Sequence, residues 1–533
     1  MKTYILTIAA LFALNFVYAQ DFFDALRYSQ TEYGGTARSI SMGSAFGALG
    51  GDFSSASINP AGLGFYRSGE FTLSPTLNLN QIESSYLNNK EFNDKYNFNL
   101  NNLSYVATAN TGAESGIVSF SFGIGYNRLK NFNSNSYTQG YNAKTTLLNY
   151  FTDYANQSGN PDNFDPHFEG LAWNTWLIDE DPNLDVIEGI YYNDMTNYED
   201  YDIYDSNNNF IGIGYEAVSV KPHQQKRVAS RSGRLDEYLM SLGLNINHKV
   251  YIGASLGLVD LEFRENVMYS EIDNENQSDY FKNYSLNTNL HESGFGVNFK
   301  TGIIIRPTKS IRLGAAFHTP TFYEINKYED KIMAANFDQL MGNDDTGSST
   351  SWNDDNNQNY SYKLETPLKV NLSAAYTFTD KALLSVDYEM VGYNRAKFRD
   401  AGDNYDYSDQ NSDINDVFNA VGNIRVGGEY RLTPNVSLRG GYNLYGNPWK
   451  SSYTFTDGTT SVLENKNDTF MAYSGGIGYR QKHFFIDFAY RLNQLKYTQK
   501  VHEIHYTNPE LVNALASFTE LNHQATITLG FRF

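Results

Sequence analysis

The last ten residues of the chain alternate strictly between apolar and polar side chains. The apolar positions are Ala525, Ile527, Leu529, Phe531 and Phe533, and the polar positions are Gln524, Thr526, Thr528, Gly530 and Arg532. A period of two puts these sets on opposite faces of a strand. A barrel strand that crosses lipid needs about 9–11 residues, apolar outside and polar inside. A soluble sandwich strand shows the same alternation, so one strand does not decide the fold.

The spacing between such segments favours a membrane barrel. Further alternating segments occupy residues 311–318, 384–390, 436–445 and 484–493. Short turns are predicted at Thr111–Ser115, His248–Lys249, Pro307–Ser310, Thr379–Lys381, Thr433–Asn435 and Arg480–Lys482. Long polar connections are predicted at 80–100, 130–235, 268–293, 323–362, 399–415, 447–468 and 498–522. Short and long connections alternate, as they do in barrels with periplasmic turns and large outer loops.

The predicted fold class is therefore all-β, a transmembrane antiparallel β-barrel of about fourteen strands. The predicted strands are 70–79, 101–110, 116–129, 236–247, 250–266, 294–306, 311–322, 366–378, 382–398, 417–431, 436–446, 469–480, 483–497 and 523–533. Helical spacing of apolar residues predicts two short helices in the long connections, at 144–156 and at 332–341.

The first nineteen residues read as a secretory signal peptide. Lys2 is followed by the apolar stretch Ile5–Phe16 and by Val17–Ala19, a small-x-small cleavage site, so the mature chain is expected to begin near Gln20. No later stretch approaches the roughly 20 apolar residues of a membrane helix. The predicted division is a signal peptide at 1–19, an N-terminal segment at 20–67 and a barrel at 68–533.

Composition excludes several classes of function. The absence of cysteine removes disulfides, thiol nucleophiles and Cys-ligated metals. A net charge of −20 makes nucleic acid a poor partner. Gly253–Gly257 matches G-x-S-x-G, but it lies within a predicted strand and not at the strand-to-helix turn that a nucleophile elbow needs. His502 and His505 lack a third ligand, and Asp273 opens a loop without the glycine and glutamate of a calcium site. Neither an enzyme nor a metal site is predicted.

The N-terminal segment carries a recognisable motif. Residues 34–52 contain G-x-x-A-R-x-x-x-M-G-x-A-F, and the run Asn59-Pro60-Ala61-Gly62-Leu63 follows. This combination, ahead of fourteen predicted strands, resembles the start of the FadL/TodX family of outer-membrane transporters of hydrophobic compounds. The composition is similar to that of Bacteroidetes-type members, among which such a barrel also serves in type IX secretion.

The resemblance implies an N-terminal hatch inside the barrel and passive uptake without ATP or a redox cofactor. It implies lateral exit of the ligand near a kinked third strand, where Gly116, Gly123 and Gly125 are candidates for the kink. The alternative is that these glycines only relieve crowding in the lumen. The motif residues Asn59 to Leu63 either move with the ligand or simply fix a tight turn.

Charged residues are also predicted to face the lumen. The basic set is Arg312, Arg439, Arg491 and Arg532, and the acidic set is Asp387, Glu389 and Asp487. The arginines are candidates to hold a carboxylate head group. The favoured alternative is that the two sets pair and stabilise a filled lumen.

The expected function is uptake of a hydrophobic small molecule, such as a long-chain fatty acid or an aromatic hydrocarbon, by a monomer in the cell outer membrane. Outer-membrane lipid and lipopolysaccharide are the other expected partners. An accessory barrel of type IX secretion and an outer-membrane lipid hydrolase are the alternatives.

Overall fold

The main sheet closes into a barrel of fourteen antiparallel strands. The computed structural model describes residues 22–180, 190–204, 210–278, 280–338, 348–353, 358–378, 380–402, 404–450, 453–454, 460–461, 469–502 and 515–533. We number the barrel strands 1 to 14 along the chain. Their bounds are Glu70–Tyr86, Asn89–Asn110, Ile117–Asn131, His223–Ile246, Val250–Ile272, Phe281–Ile305, Ile311–His318 with Phe322–Phe337, Gln358–Glu365 with Lys369–Thr377, Ala382–Gly392 with Lys397–Asp400, Ala420–Arg431, Val436–Tyr445, Thr469–Arg480, Phe484–Lys500 and Leu515–Arg532.

Closure of the ring is made by barrel strand 14. Its Phe531 lies opposite Phe484 of strand 13 on one side and Phe71 of strand 1 on the other. Ile527 is exposed on the outer face, whereas Thr526 is buried on the inner face. Every strand thus has two neighbours, as lipid requires of a backbone that has no water to bond. The predicted fold class and the fourteen strands are confirmed.

The two ends of the barrel differ. The six predicted short turns, apart from Thr379, which lies outside the described residues, are at one end, which we call the short-turn end. The opposite end of the described strands is the loop end. The long connection predicted at 80–100 is wrong, because strands 1 and 2 continue to a two-residue turn at Leu87 and Asn88, both with positive φ. Residues 268–293 are likewise mostly strand, since strands 5 and 6 pair as far as Ile272. These strands continue, with alternating side chains that include Asn and Tyr, beyond the apolar belt, by which we mean the band of exposed apolar side chains around the barrel.

The helices of the described chain are α1 Phe22–Ser29, α2 Ala37–Ser41, α3 Leu147–Ser158, α4 Glu169–Asn174 and α5 Ser408–Val417, with 3-10 helices at Phe53–Ser57, Pro60–Phe65, Pro161–Asn163 and Tyr393–Arg395. Further strands are Ser134–Ala143, Asp179–Glu180, Tyr191–Tyr192, Thr196–Tyr204, Phe210–Val220, Ser348–Asn353, Tyr453–Thr454 and Thr460–Ser461. None of the described helices has the length and hydrophobicity to cross a membrane.

One of the two predicted loop helices is confirmed. Helix α3 covers the predicted 144–156 region. The helix predicted at 332–341 is wrong, because Met333, Ala335 and Phe337 are buried on one face of barrel strand 7 and pair with strand 6. A short apolar run fits both periodicities, and cross-strand pairing decided between them. Residues 339–341 lie outside the described residues.

The N-terminal segment, residues 22–66, lies inside the ring. Helix α2 contacts barrel strands 11 to 14, and helix Pro60–Phe65 contacts strands 3 to 6. Almost every side chain from Ala37 to Gly64 is buried. The predicted signal peptide at 1–19 and the start near Gln20 lie outside the described residues.

Glycines on the inner wall admit this segment. Gly253 lies directly opposite Gly243 and Gly302, in a row across strands 4, 5 and 6. A Cβ on Gly253 would overlap the backbone of Pro60. Small residues let two backbones approach closely, and this row is where the N-terminal segment docks.

Candidate functional site

Helix α3 is fixed over the loop end of the barrel by one carboxylate. The Leu147 amide donates to Glu271 Oε1 at 3.0 Å, and the Thr146 hydroxyl donates to Glu271 Oε2 at 2.5 Å. Thr146 also caps the helix by accepting from the Leu148 amide. A carboxylate at a helix N-terminus satisfies free N–H groups and opposes the positive end of the helix dipole. Strand 5 therefore sets the position of α3.

A cavity of about 250 Å³ lies between α3, α4 and the loop-end halves of the barrel strands. We call it the outer cavity. Its apolar lining comprises Leu147, Tyr150, Phe151, Phe168, Leu171, Val267, Tyr269, Leu286 and Val501. The Phe168 ring packs 4.8 Å from that of Phe151 and 5.0 Å from that of Tyr150. A concave, mostly apolar site with a few polar groups is the usual form of a small-molecule pocket.

The polar lining of the outer cavity is basic. It comprises Thr288, Gln499, Arg227, Lys331, Lys500, His167 and His502, and no aspartate or glutamate among the described residues lines the cavity. The whole chain has 60 acidic and 40 basic residues, so this lining runs against the overall charge. Lys331 also pairs at 3.1 Å with Glu329, which does not itself line the cavity. The arrangement suits a molecule with an apolar body and an anionic group.

Near the cavity, the Glu169 carboxylate accepts from the Ser158 hydroxyl at 3.0 Å and ties α4 to α3. Burial raises the pKa of this carboxyl above its usual value. Glu169 is not among the residues that line the outer cavity.

Helix α1 lies across the lumen below the outer cavity. The Asp24 carboxylate pairs with Lys327 at 3.1 Å and with Arg27 at 2.5 Å. Tyr28 and Arg27 both bond Glu292 on barrel strand 6. Strand 6 shows that the outer cavity lies nearer the loop end than α1 does. Thr288 of this strand lines the outer cavity, whereas Glu292, four residues nearer the short-turn end, bonds α1.

Replacing Lys327 with methionine should loosen α1. The cluster holds two carboxyl groups and two cations, and the Lys327 side chain is only 8% exposed. Breaking a buried pair by removing one partner costs about 3–5 kcal/mol. Hydrogen exchange of α1 should therefore accelerate in K327M, while exposed Lys363, on the outer face of strand 8, provides a matched K363M control. Unchanged exchange in K327M would show that the cluster does not hold the helix.

A second and much smaller cavity, of about 30 Å³, lies below α1, and we call it the inner cavity. From the N-terminal segment it is lined by Tyr28, Ser29, Thr31 and Tyr33. From the wall it is lined by Leu129, Glu237, Asn298, Lys300, His318, Thr319, Thr321, Tyr323, Thr366, Pro367 and Lys369. Asn298 is six residues beyond Glu292 on strand 6, which is about 20 Å along a strand. Helix α1 therefore separates the two cavities.

The motif Asn59 to Leu63 lies at the short-turn side of the inner cavity. Asn59 is fully buried and its amide donates to the Gly47 carbonyl at 2.7 Å and the Ile303 carbonyl at 3.3 Å. Its Oδ1 accepts from the Ala61 amide, and Pro60 begins the helix Pro60–Phe65. Gly62 accepts from the Gly51 amide through its carbonyl, and Leu63 packs with Phe53. The motif joins two turns of the segment to the wall.

The three glycines proposed for a kink lie in different surroundings. Gly116 is in a turn with φ +80, and a Cβ there would meet open space. A Cβ on Gly123 would press on Leu63 and Phe53, and one on Gly125 on Phe53. The ladder between strands 3 and 4 shifts register at Ile117/Ser119 and at Arg128/Lys130, and runs regularly between them.

The predicted lumen charges bond neighbouring groups. Arg439 pairs with Asp487 at 2.6 Å, which is one of the predicted pairings, and Arg532 pairs with Glu70 at 2.7 Å. Asp387 lies 3.9 Å from Arg425. Each of these three contacts joins two strands of the barrel wall.

Other charges of the predicted sets reach the N-terminal segment. Arg312 donates to the Leu49 carbonyl at 2.7 Å, and Arg491 donates to the Glu32 carbonyl at 3.1 Å. Glu389 accepts from the Tyr33 hydroxyl at 2.8 Å, and Asp387 accepts from the Gly47 amide at 2.9 Å. Their possible role toward a ligand head group stays a prediction.

Sequence reasoning missed the residues that divide the lumen. Asp24, Arg27, Glu292 and Lys327 lie in segments predicted as a hatch and as loops, and no local pattern links them. The basic lining of the outer cavity also comes from distant segments. By contrast, Ser255 of the G-x-S-x-G match is buried and contacts Ser241 and the Ala56 carbonyl, so it serves docking of the N-terminal segment. His505 lies outside the described residues, and no cluster that could bind a metal occurs within the part described.

Comparison with known proteins gives one family. A family model described as "Outer membrane protein transport protein (OMPP1/FadL/TodX)" matches residues 235–527. No curated protein matches the chain.

Solved structures resemble the chain over nearly its whole length. A FadL homologue of Pseudomonas aeruginosa is 13% identical, with a TM-score of 0.51 and coverage of 95% of this chain and 100% of that one. The toluene transporter TbuX of Ralstonia pickettii is 13% identical, with a TM-score of 0.46 and coverage of 94% and 99%. The toluene transporter TodX of Pseudomonas putida is 12% identical, with a TM-score of 0.47 and coverage of 95% and 100%. At such identities the first of these supports the fold alone.

Proposed function

Since the chain belongs to the OMPP1/FadL/TodX family of outer-membrane transport proteins, we propose that it takes up hydrophobic carboxylic acids of the long-chain fatty-acid class. The family consists of transporters and channels for hydrophobic compounds, and the chain is not an enzyme. The single observation that carries the choice of substrate is the outer cavity, whose aromatic walls are rimmed by Arg227, Lys331 and Lys500 without a carboxylate in the described lining. An aliphatic tail would pack on the aromatic walls and its carboxylate on the basic rim.

The chain lies in the outer membrane, and we propose that its short-turn end faces the periplasm. Both ends of the barrel, Glu70 and Arg532, lie at the short-turn end. Large loops on the outer face and short periplasmic turns are general in such barrels. The ring leaves no unpaired barrel-strand edge between strands 14 and 1, which supports a monomer surrounded by lipid and lipopolysaccharide.

Residues 20–67 are proposed to act as a hatch within a barrel of residues 68–533, after removal of residues 1–19. Helix α1 separates the cavities, so a ligand in the outer cavity reaches the inner cavity only when α1 moves. The cluster of Asp24, Arg27, Glu292 and Lys327 would hold α1 closed. Below it, the bonds of Asn59 to Gly47 and Ile303 would keep the motif seated on the wall.

The ligand would leave sideways through the wall, beside barrel strand 3. Strands 2 and 3 pair only from Asn110 up to Asn102, which lies opposite Asn127. Beyond this point strand 2 pairs with strand 1 alone among the described strands, and its Phe98 is 74% exposed. The separation therefore provides a seam near the loop-side limit of the apolar belt. Exit there would spare an apolar ligand the aqueous layers on either side.

Deletion of the gene should lower uptake of radiolabelled oleate, and restoring it on a plasmid should return uptake to the original rate. An empty plasmid is the control, and toluene uptake measured in parallel tests a preference for neutral aromatic hydrocarbons. If neither oleate nor any other hydrophobic compound depends on the gene, the transport proposal is wrong. Recovery of secretion machinery with the purified protein would then favour an accessory role.

A further inference from the structure

A second interruption of the barrel wall lies across strands 7, 8 and 9. Strand 7 breaks between His318 and Phe322, and strand 8 breaks between Glu365 and Lys369. His318 pairs with Lys369 on one side of the breaks, and Phe322 pairs with Glu365 on the other. The two breaks are therefore at the same level of the wall.

Strand 9 breaks at that level as well. Its residues Tyr393–Arg395 form a short 3-10 helix. Lys369 of strand 8 pairs with Val391 before this helix, and Glu365 pairs with Lys397 after it. Among the described residues, no backbone hydrogen bond joins residues 366–368 to residues 393–396. Three consecutive strands thus lose their ladder together.

Two prolines keep this region from closing as an ordinary ladder. Pro320 and Pro367 lie in the facing breaks of strands 7 and 8, and neither has an N–H to donate. What remains is a pair of bonds between Thr321 and Thr366. The Thr366 amide donates to the Thr321 carbonyl at 3.1 Å, and the Thr321 amide donates to the Thr366 hydroxyl at 2.9 Å.

The inner cavity meets the wall at this place. Thr319, Thr321, Thr366 and Pro367 all line it, whereas only Leu129 lines it from strand 3. The inner cavity is therefore separated from the outside by the interrupted strands themselves.

The outside of the interruption is apolar. Phe322 is 56% exposed there, and Phe317, Leu368 and Met390 are exposed beside it. Glu324 and Lys363, farther toward the loop end, are exposed polar residues of the same strands. The interruption thus lies at the loop-side limit of the apolar belt, where a tail leaving the lumen meets hydrocarbon.

We propose that this interruption, the strand 7–8 seam, is a second lateral opening through which an apolar ligand passes between the inner cavity and the membrane. The proposal rests on the lateral exit in the proposed function, and it differs in place from the seam beside strand 3. Within the breaks of strands 7 and 8, the described residues are joined only by the Thr321–Thr366 bonds, so opening begins with the parting of that pair. It would then extend into the flanking pairs His318–Lys369 and Phe322–Glu365. The strand 3 seam and the strand 7–8 seam would then act in parallel.

Cross-linking can close each seam separately, since the chain has no cysteine of its own. Thr321→Cys with Thr366→Cys spans the strand 7–8 seam. Asn97→Cys with Asn131→Cys spans the strand 3 seam, where the two amides lie 3.2 Å apart. Thr76→Cys with Thr526→Cys is the control, because their hydroxyls lie 2.8 Å apart in the ladder that joins strands 1 and 14 without a gap from Thr76 to Ser85. A short, reducible thiol cross-linker joins each pair in whole cells.

Radiolabelled oleate uptake is measured before cross-linking, after it and after reduction. If exit of the ligand from the barrel limits the rate of uptake, closing one of two equal parallel openings should lower uptake about twofold. Closing both should abolish it. The control pair should leave uptake unchanged, and reduction should restore it. Normal uptake with a confirmed Thr321–Thr366 cross-link would overturn the second opening while leaving the proposed function intact. Absence of uptake in every variant, wild type included, would overturn both.

A photoreactive oleate gives a readout that does not depend on the cysteine variants folding. With the wild-type protein, labelling should appear on the peptides that contain residues 317–322 and 366–368. Labelling confined to the outer cavity and to strands 2 and 3 would contradict the strand 7–8 seam.

Discussion

Replacing Gly253 with leucine should open the barrel to small solutes. A side chain at this position would overlap the backbone of Pro60 and Ala61, which cannot move without the rest of the N-terminal segment. Inserting extra atoms into a packed core costs about 1–3 kcal/mol. The cost here should be at the upper end, because backbone atoms move aside less readily than a side chain does. Since 1.4 kcal/mol is tenfold in an equilibrium, the displaced state should become about ten to a hundred times more populated.

The measurement is conductance of the purified barrel in a planar bilayer, together with protease sensitivity of the N-terminal segment. Gly475→Leu is the matched control, because Gly475 lies on a barrel strand but a Cβ there would be 3.7 Å from the nearest atom, the Arg439 carbonyl oxygen. We expect G475L to remain closed. If G253L conducts no better than G475L and keeps its N-terminal segment protected, the row Gly243, Gly253 and Gly302 does not hold that segment in place.

Neutralising the rim of the outer cavity should weaken binding of oleate but not of its methyl ester. Arg227→Gln, Lys331→Gln and Lys500→Gln each remove one positive charge from a lining without acidic side chains among the described residues. A hydrogen bond to a charged group contributes about 1.5–3 kcal/mol. Replacing the residue that holds the carboxylate should therefore raise the Kd for oleate about tenfold to a hundredfold. The apolar packing of the tail is unchanged in these variants, and ester binding should stay near the wild-type value.

Titration calorimetry of the detergent-solubilised protein would measure both ligands. Arg399→Gln serves as the control, because Arg399 is an exposed partner of Glu365 and does not line the outer cavity. Equal losses for acid and ester would mean that the rim shapes the cavity without recognising charge. Unchanged oleate binding in all three rim variants would contradict the assignment of the substrate class.

The barrel could be predicted because its signal is local. A strand such as Gln524–Phe533 displays its two environments as an alternation within ten residues, and lipid on one side makes that alternation strict. The short turns can be predicted from the same pattern, because the alternation stops for a few residues between one strand and the next. The prediction failed where the constraint is absent, as at 80–100 and 332–341, because strands outside the belt need no apolar face.

The candidate site depended on contacts that no local pattern encodes. The sequence marks Asn59 to Leu63 as a motif, and it marks Gly253 as a glycine within a strand. Only pairing of strands 4, 5 and 6 aligns Gly243, Gly253 and Gly302 into the row on which Pro60 docks.

The sequence by itself determined that this chain builds a closed barrel with its amino-terminal segment available to fill it, because alternation and composition act on each strand separately. Tertiary structure alone decided where the lumen is divided and where the strands of the wall are interrupted. Lys327 bonds Asp24 across more than three hundred residues of chain. Pro320 and Pro367 lie at the same level of the wall only because of the register between strands 7 and 8. Such contacts depend on pairing between distant segments, and the sequence around each residue does not indicate its partner.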